Sequence, residues 1–130
     1  MPISAGCRIF EQTGEYAKLV RFPGGSSNTV SHFNPGIMTR LTNDLNDMGY
    51  AYFDWNVSAA DTASDATRYT VIENFKESVP KHDYSVVLQH DTNAFSVDAV
   101  EEILSWGIKN GYSFRALDLT SPAVHHSVAN

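Results

Sequence analysis

The sequence predicts an α/β fold with parallel strands, and two observations support this class. Four hydrophobic runs recur at near-even spacing, and a helix-length segment separates each run from the next. The intervals of roughly 27–35 residues fit β/α units with right-handed crossovers. Polar residues follow three of the runs directly, at the strand ends where loops of β/α folds converge. The runs are Ala17–Phe22, Tyr50–Val57, Ser85–His90 and Tyr112–Leu117.

The first two elements are a helix and a strand with clear stop signals. Residues Ile3–Gln12 read as the end of a helix that Gly14 closes. The first hydrophobic run then forms a buried strand, which Pro23 and the two following glycines break. No strand precedes the helix in the sequence, so we expect a unit that is incomplete at its N-terminal side.

Three further helices are marked by capping residues and apolar stripes. Asn34 and Pro35 predict the start of the second helix, Pro80 the end of the third, and Ser96 the start of the fourth, which Gly111 closes. The side chains expected to face the core are Ile37, Leu41, Leu45 and Met48 in the second helix, Val71, Ile72, Phe75 and Val79 in the third, and Val97, Val100, Leu104 and Ile108 in the fourth.

The chain is predicted to be one domain, residues 1–130, with room for a single core. It has 130 residues, and a domain of this size buries one core rather than two. A closed barrel needs about eight parallel strands or slightly fewer. The sequence therefore predicts a partial (β/α) barrel that is truncated at its N-terminal side. An open four-stranded parallel sheet is the alternative.

Composition and charge exclude several classes of function. A hydrophobic content of 42% with 18% charged residues is that of a folded protein. The formal net charge of -6, with scattered Lys and Arg, argues against nucleic acid and against an anionic membrane surface. Cys7 is the single cysteine, so no internal disulfide or thiolate metal cage can form. We see no signal peptide and no apolar stretch near the ~20 residues of a membrane span.

His90 is the first candidate for catalysis. It ends the third hydrophobic run, and its imidazole can serve as a general acid near neutral pH. The alternative is a partly buried histidine that bonds to the backbone. Asp54 and Asp61 flank the end of the second run, and a carboxylate beside His90 would steer its ring. Trp55 offers a flat apolar wall, either for a sugar face or for the core.

Arg21 and the turn after it form a second candidate group. A guanidinium within an apolar strand must be paired, usually with a carboxylate. Arg21 would therefore either orient a catalytic Asp or form a structural ion pair. The turn Pro23–Gly25 exposes N–H groups that can stabilise an oxyanion. A phosphate site is the weaker interpretation, because no G-x-G-x-x-G or Lys-Ser/Thr pattern follows.

A metal site within this chain is not expected. The remaining histidines form no helical i, i+4 pair and no His-x-Glu motif. The segment that carries the last two is expected to be an edge or a loop. These histidines are His32, His82, His125 and His126.

Taken in order, four motifs resemble those of the polysaccharide deacetylases, the carbohydrate esterases that remove N-acetyl groups from peptidoglycan and chitin oligomers. Several motifs in register are far more specific than any one of them. The Gly-Gly-Ser-Ser-Asn variant resembles the peptidoglycan deacetylases of Gram-positive bacteria. The motifs are RFPGGSSN at 21–28, YFDWNV at 52–57 with Asp61, VLQHD at 87–91 and GYSF at 111–114.

The resemblance implies a hydrolase whose partner is an N-acetylated glycan and whose complete domain holds zinc or another divalent metal on one Asp and two His. A neighbouring Asp is the general base, and metal-bound water attacks the acetamide carbonyl. By this resemblance His90 protonates the departing amine, Asp61 tunes His90, and Arg21 orients the base carboxylate. The substrate-binding residues would be Pro23, Gly24 with its N–H on the oxyanion, and Trp55 and Leu88 around the acetyl group.

The sequence departs from the family pattern at two positions and, more seriously, lacks two of the family's motifs. Gly24 stands where the family usually has tyrosine, and Thr62 where it often has tryptophan. The Thr-Phe-Asp-Asp and His-(Ser/Thr)-x-x-His motifs are absent from the sequence. We therefore interpret the chain as the C-terminal half of a deacetylase domain, with no metal ligands or cofactor of its own and inactive alone.

Three further expectations concern the oligomeric state, the cellular location and the alternative function. The exposed half-barrel face should make the chain a homo-oligomer, with the first strand or Ile3–Gln12 in the interface. The family is extracellular or attached to the cell surface of bacteria, so the parent protein is expected there. The alternative to a hydrolase is a non-catalytic glycan-binding or assembly module that has kept the groove residues.

Overall fold

A computed structural model describes residues 11–130 and has the predicted class, α/β with parallel strands. Its contacts divide the chain into two units. Unit 1 extends to Asp54 and also includes Leu117–Asn130, and unit 2 is Trp55–Ala116. The predicted helix Ile3–Gln12 lies mostly outside the described residues, as does Cys7, although residues 11–13 are helical and Gly14 has a φ of 75°.

Unit 1 is built on one pair of parallel strands. Strand β1, Leu19–Val20, pairs with β2, Ala51–Tyr52, with Leu19 opposite Ala51. A 3-10 helix, Val30–Phe33, and helix α1, Ile37–Asp47, connect them. The last residues of the chain form a loop, as predicted for 125–126.

Helix α1 buries a different face from the one predicted. Its cap is Gly36 in the left-handed conformation, not Asn34. Met38 and Thr42 are buried, whereas Leu41 and Met48 are exposed. Thr42 fits this face because its hydroxyl donates to the carbonyl oxygen of Thr39 at 3.0 Å, which satisfies the polar group. The predicted apolar stripe was therefore wrong by about one residue.

Unit 2 has a second pair of parallel strands and most of the described core. Strand β3, Val57–Ser58, pairs with β4, Val87–Leu88. Helix α2, Arg68–Ser78, is followed by the 3-10 helix Val79–Lys81, and α3 is Ala94–Lys109. The predicted core face is confirmed, because Val71, Ile72 and Phe75 of α2 are buried, as is Val79 in the 3-10 helix that follows. The core comprises Val57, Ala59, Val71, Ile72, Phe75, Val79, Ala99 and Ile103.

Helix α3 also turns a different face to the core. Asn93 is its cap, and Ser96, the predicted cap, lies inside the first turn. The buried residues are small at three of four positions, which lets the helix approach its neighbours closely. A Cβ on Gly107 would lie 2.5 Å from Cζ of Phe114. The buried residues are Ser96, Ala99, Ile103 and Gly107, and the exposed ones include Val97, Val100, Leu104 and Ile108.

The predicted strands were too long, and one is absent. The run Tyr50–Val57 contains β2 and the first residue of β3, which pair with different partners, so the strands of residues 11–130 form two two-stranded sheets instead of one continuous sheet. The run Tyr112–Leu117 contains no strand. Its first N–H donates back to Gly107 O at 2.9 Å, and its rings stack on Trp106 and Phe75. Aromatic packing on α2 and α3 thus takes the place of sheet pairing.

Candidate active site

The loop after β3 places a buried carboxylate at the end of that strand. Ala60 has a φ of 52°, the left-handed conformation that residues other than glycine seldom adopt. Its N–H donates to Ser58 Oγ at 3.1 Å, which holds the turn. The next residue, Asp61, is 3% exposed. Asn93, the cap of α3, donates from Nδ2 to the Asp61 backbone oxygen at 3.0 Å, so the loop is tied to that helix.

His90 follows β4 and contacts Asp61 twice. Its backbone N–H donates to Asp61 Oδ2 at 2.6 Å, and its Nδ1 lies 2.8 Å from Asp61 Oδ1. Since a carboxylate only accepts hydrogen bonds, Nδ1 must carry the proton in this pair. Nε2 is then left for a second partner, and the His90 side chain is 30% exposed. The pair can therefore exchange a proton with a molecule outside the core.

A third group fixes the Asp61 carboxylate. Ser96 is fully buried, and its Oγ donates to Asp61 Oδ2 at 2.6 Å. Burial raises the pKa of Asp61, but the hydrogen bonds from Ser96 and His90 outweigh it and hold the pKa below its ordinary 3.8. Asp61 is consequently an anion at neutral pH, and it can stabilise a protonated His90.

The residues of the second candidate group lie in unit 1. Arg21 is exposed, and its Nη1 donates to the backbone oxygen of Phe22 at 3.3 Å. The expected ion pair with a carboxylate is absent among residues 11–130, because β1 ends at Val20 and Arg21 lies exposed after the strand. Pro23 and Gly24 are exposed in the following turn. Gly24 has a φ of 72°, which explains glycine there.

Two predicted substrate-binding residues lie in unit 2 with Asp61 and His90. Trp55 and Leu88 are both half-buried. Leu88 belongs to β4, two residues before His90, and its carbonyl accepts from Ala59 N at 3.0 Å. The role of Trp55 and Leu88 around an acetyl group stays a prediction.

A second buried aspartate, Asp54, is held in unit 1. It accepts hydrogen bonds from Ser26 N at 2.8 Å, Ser26 Oγ at 2.5 Å and His126 N at 2.9 Å. Burial raises the pKa of Asp54, but these hydrogen bonds lower it by more than burial raises it. The pKa of Asp54 is therefore below its ordinary 3.8. Asp54 was one of two candidate partners for His90, and the structure pairs His90 with Asp61. Asp54 instead anchors the C-terminal segment.

Sequence reasoning missed Ser26, Ser96 and His126 as partners of these carboxylates. Each lies between 28 and 72 residues from the aspartate it contacts. The one available signal was Ser96, a polar residue in register with Ala99 and Ile103 on the buried face of α3. A buried hydroxyl requires a partner, and that requirement could have led to Asp61.

The described residues offer no site for a divalent metal. No group of three or more His, Cys, Asp or Glu in residues 11–130 is placed to hold an ion. In the same part of the chain, no helix has the length and apolar character required to cross a membrane.

Comparisons with known proteins point to one class of enzyme. The catalytic domain of a peptidoglycan N-acetylglucosamine deacetylase from Eubacterium rectale ATCC 33656 superposes with a TM-score of 0.92 at 50% identity. The polysaccharide deacetylase Bc1974 from Bacillus cereus gives 0.67 at 26%. YheN of Bacillus subtilis (strain 168), named as a polysaccharide deacetylase, is 29% identical over 118 residues. The resemblance to polysaccharide deacetylases is thus confirmed. No family model matches the chain.

The match covers nearly all of this chain but only part of each relative. It includes 96% of this chain and 58% of the Eubacterium rectale chain, and 95% and 57% for Bc1974. For YheN the shares are 87% of this chain and 39% of the relative. The chain therefore spans less than two thirds of the proteins to which it is similar.

Proposed function

We propose that this chain forms the general-acid half of a polysaccharide deacetylase domain that hydrolyses N-acetyl groups on cell-wall glycan. The observation that carries the proposal is the buried Asp61, which holds His90 through Nδ1 at 2.8 Å directly after β4. The similarity to a peptidoglycan N-acetylglucosamine deacetylase over 96% of the chain supplies the substrate class.

The chemistry assigns a defined step to this pair. Hydrolysis of an N-acetyl group adds water to the acetyl carbonyl and then breaks the C–N bond, which gives acetate and a free amine. The amine is a poor leaving group unless its nitrogen receives a proton. Protonated His90 can donate that proton from Nε2, while Asp61 stabilises the imidazolium through Nδ1. A general acid of this kind contributes about 10²–10⁴-fold to a rate.

The remaining predicted residues would prepare the substrate. The Gly24 N–H, presented by the turn after Pro23, would stabilise the oxyanion, and Trp55 and Leu88 would surround the acetyl methyl group. Arg21 is exposed in unit 1 and would orient a base carboxylate. These roles rest on the motif resemblance, and each is open to single substitution.

A divalent metal would complete the site, but the described residues do not fit one. The donor set that the resemblance implies, one Asp and two His, has no counterpart among residues 11–130. Without those ligands and the general base, we expect the chain alone to show little turnover.

Partners and location follow from the same proposal. The partner is an N-acetylated glycan, and the working place of the parent protein is the bacterial cell surface, where peptidoglycan lies. We also propose that the chain associates with a second copy of itself, because helix α3 exposes four aliphatic side chains on one side.

A chimera provides the direct test. Residues 11–130 would replace the matching segment of the Eubacterium rectale catalytic domain, and kcat and KM would be measured on an acetylated N-acetylglucosamine oligomer. We expect the chimera to release acetate, and His90→Ala to lower kcat by about 10²–10⁴-fold with less effect on KM. The control is His82→Ala, which alters an exposed histidine. An active chimera that tolerates His90→Ala would refute the role of His90.

The second candidate function is a glycan-binding module without chemistry. The half-buried Trp55 favours it, because an indole ring is a suitable platform for a sugar face. Two results together would favour the binding module over the hydrolase. The chimera would bind the oligomer without releasing acetate, and Trp55→Ala would abolish that binding.

A further inference from the structure

Ser96 is a polar side chain in an otherwise apolar helix face. It lies in the first turn of α3 with no exposed surface, in register with Ala99 and Ile103, which belong to the core. Burial of a hydroxyl is unfavourable unless it is hydrogen-bonded. An alanine would suit the core better, so the hydroxyl requires an explanation.

The Ser96 hydroxyl gives Asp61 Oδ2 a second hydrogen-bond donor, whereas without it each carboxylate oxygen would have one donor, both from His90. Asp61 Oδ1 accepts from His90 Nδ1, and Asp61 Oδ2 accepts from His90 N and from Ser96 Oγ at 2.6 Å each. The two bonds to Oδ2 come from different elements, the end of β4 and the start of α3. These two hydrogen bonds fix the plane of the Asp61 carboxylate. They therefore also fix the direction from which Oδ1 accepts the hydrogen bond of His90 Nδ1.

The start of α3 is also hydrogen-bonded to the two segments that carry His90 and Asp61. Gln89, which precedes His90, donates from Nε2 to the Ser96 backbone oxygen at 2.6 Å. Asn93 donates to the Asp61 backbone oxygen at 3.0 Å. Ser96 is therefore held in place, and its hydroxyl can hold the Asp61 carboxylate in one orientation.

We propose that Ser96 is a positioning residue whose hydroxyl orients Asp61 so that His90 keeps its proton on Nδ1 and its Nε2 free for the leaving group. The consequence for deacetylation rests on the proposed function. The effect on the His90 ring does not, because it is a property of this chain and can be measured without substrate.

The test is the tautomer of His90 in the chain labelled with ¹⁵N, read from long-range ¹H–¹⁵N spectra at a pH where the ring is neutral. We expect the Nδ1–H form to dominate in the wild type. In Ser96→Ala, the ratio of the Nδ1–H to the Nε2–H form should fall about fivefold, the effect of roughly one hydrogen bond. Ser96→Cys, which keeps the volume and offers a weak donor, should be intermediate. Asp61→Asn should reverse the preference, because its amide nitrogen would face Nδ1.

The matched control is Ser26→Ala, which removes a fully buried hydroxyl from the other aspartate, Asp54. It should leave the His90 tautomer unchanged, whereas a general loosening of the protein would shift the ratio in both variants. An unchanged ratio in the Ser96→Ala and Ser96→Cys variants, or an equal shift in Ser26→Ala, overturns the proposal. Failure of the chimera to release acetate would refute the proposed function alone, and the tautomer result would still decide the role of Ser96.

Discussion

Two aspartates in this protein are buried as anions and held by the same kinds of donor. Asp54 accepts from a serine N–H and hydroxyl and from a histidine N–H, and Asp61 accepts from a serine hydroxyl and from a histidine N–H and ring. Hydrogen bonds to a charged group contribute about 1.5–3 kcal/mol each, enough to offset burial. Each carboxylate joins segments that are far apart in the sequence.

The lowered pKa of Asp54 predicts a loss of stability in acid. Because its folded-state pKa lies below the ordinary 3.8, its contribution is fully present above that value and is lost as the pH falls through the folded-state pKa. Asp54→Asn should lower the free energy of unfolding by about 1–3 kcal/mol at neutral pH and by less near pH 2.5, measured by urea unfolding. Asp65→Asn, at an exposed position, is the control. An equal loss at both pH values would contradict this account.

The turn before Asp61 stores backbone strain that a single substitution should relieve. Ala60 has a φ of 52° and is exposed, so its methyl group gains nothing from packing there. Ala60→Gly should raise the free energy of unfolding by about 0.5–1 kcal/mol, since glycine adopts this conformation without the clash. The neighbouring Ala59→Gly is the control and should lower it, because Ala59 is buried in the core. A loss of stability in Ala60→Gly would show that the turn is not strained.

Part of the candidate site could be predicted from the sequence. His90 and Asp61 stand at the ends of hydrophobic runs, so their approach follows from parallel strands whose ends meet. His126 could not be placed in the same way, because its partner is 72 residues away and no local pattern encodes the contact. For Ser96 the only signal was its register with Ala99 and Ile103, which indicates a buried hydroxyl but does not name its partner. Arg21 was expected in an apolar strand, but β1 ends at Val20 and leaves the guanidinium in solvent.

At the scale of the elements, α2 followed the predicted pattern and α1 and α3 did not. In α2 the predicted core residues Val71, Ile72 and Phe75 are also the buried ones. In α3 the apolar sector is wider than the buried one, and the side nearest the core carries Ser96, Ala99 and Gly107. The spacing of large apolar residues does not show which part of a wide apolar surface packs against the core. Where a helix lies close to its neighbours, small side chains are favoured at the contact. The lengths of the strands were overestimated, because an apolar run indicates that residues are buried and not that their backbone pairs with a neighbouring strand.

The capping box of α2 is the element whose contribution is easiest to measure. Thr67 Oγ1 accepts from Thr70 N at 3.2 Å, and Thr70 Oγ1 accepts from Thr67 N at 2.8 Å. Thr67→Ala should lower the free energy of unfolding by about 1 kcal/mol in urea. The double variant with Thr70→Ala should lose less than the sum of the single losses, because each substitution breaks the same box. Thr62→Ala, on an exposed loop, should have little effect, and strict additivity would argue against a shared box.

At the scale of the whole molecule, each described strand pair has two strands only, and apolar side chains remain exposed. The sequence predicted an interface that includes the first strand or Ile3–Gln12. The helix lies mostly outside the described residues, and Leu19 in β1 is 36% exposed. The side of α3 formed by Val97, Val100, Leu104 and Ile108 is at least as exposed at every position. We call this set the α3 outer face.

The α3 outer face is the surface that we expect to join two copies of the chain. A stripe of aliphatic side chains is complementary to itself, so a twofold axis can bury it against the same stripe of a second copy. Light scattering should report a dimer at about 100 µM and dissociation on dilution. Leu104→Lys with Ile108→Lys should shift the population to monomer, because paired lysines would repel across the axis. The control is Val30→Lys with Phe33→Lys, which places the same charges on exposed apolar residues of unit 1. A wild-type chain that stays monomeric at this concentration, or a control that dissociates equally, would refute the interface.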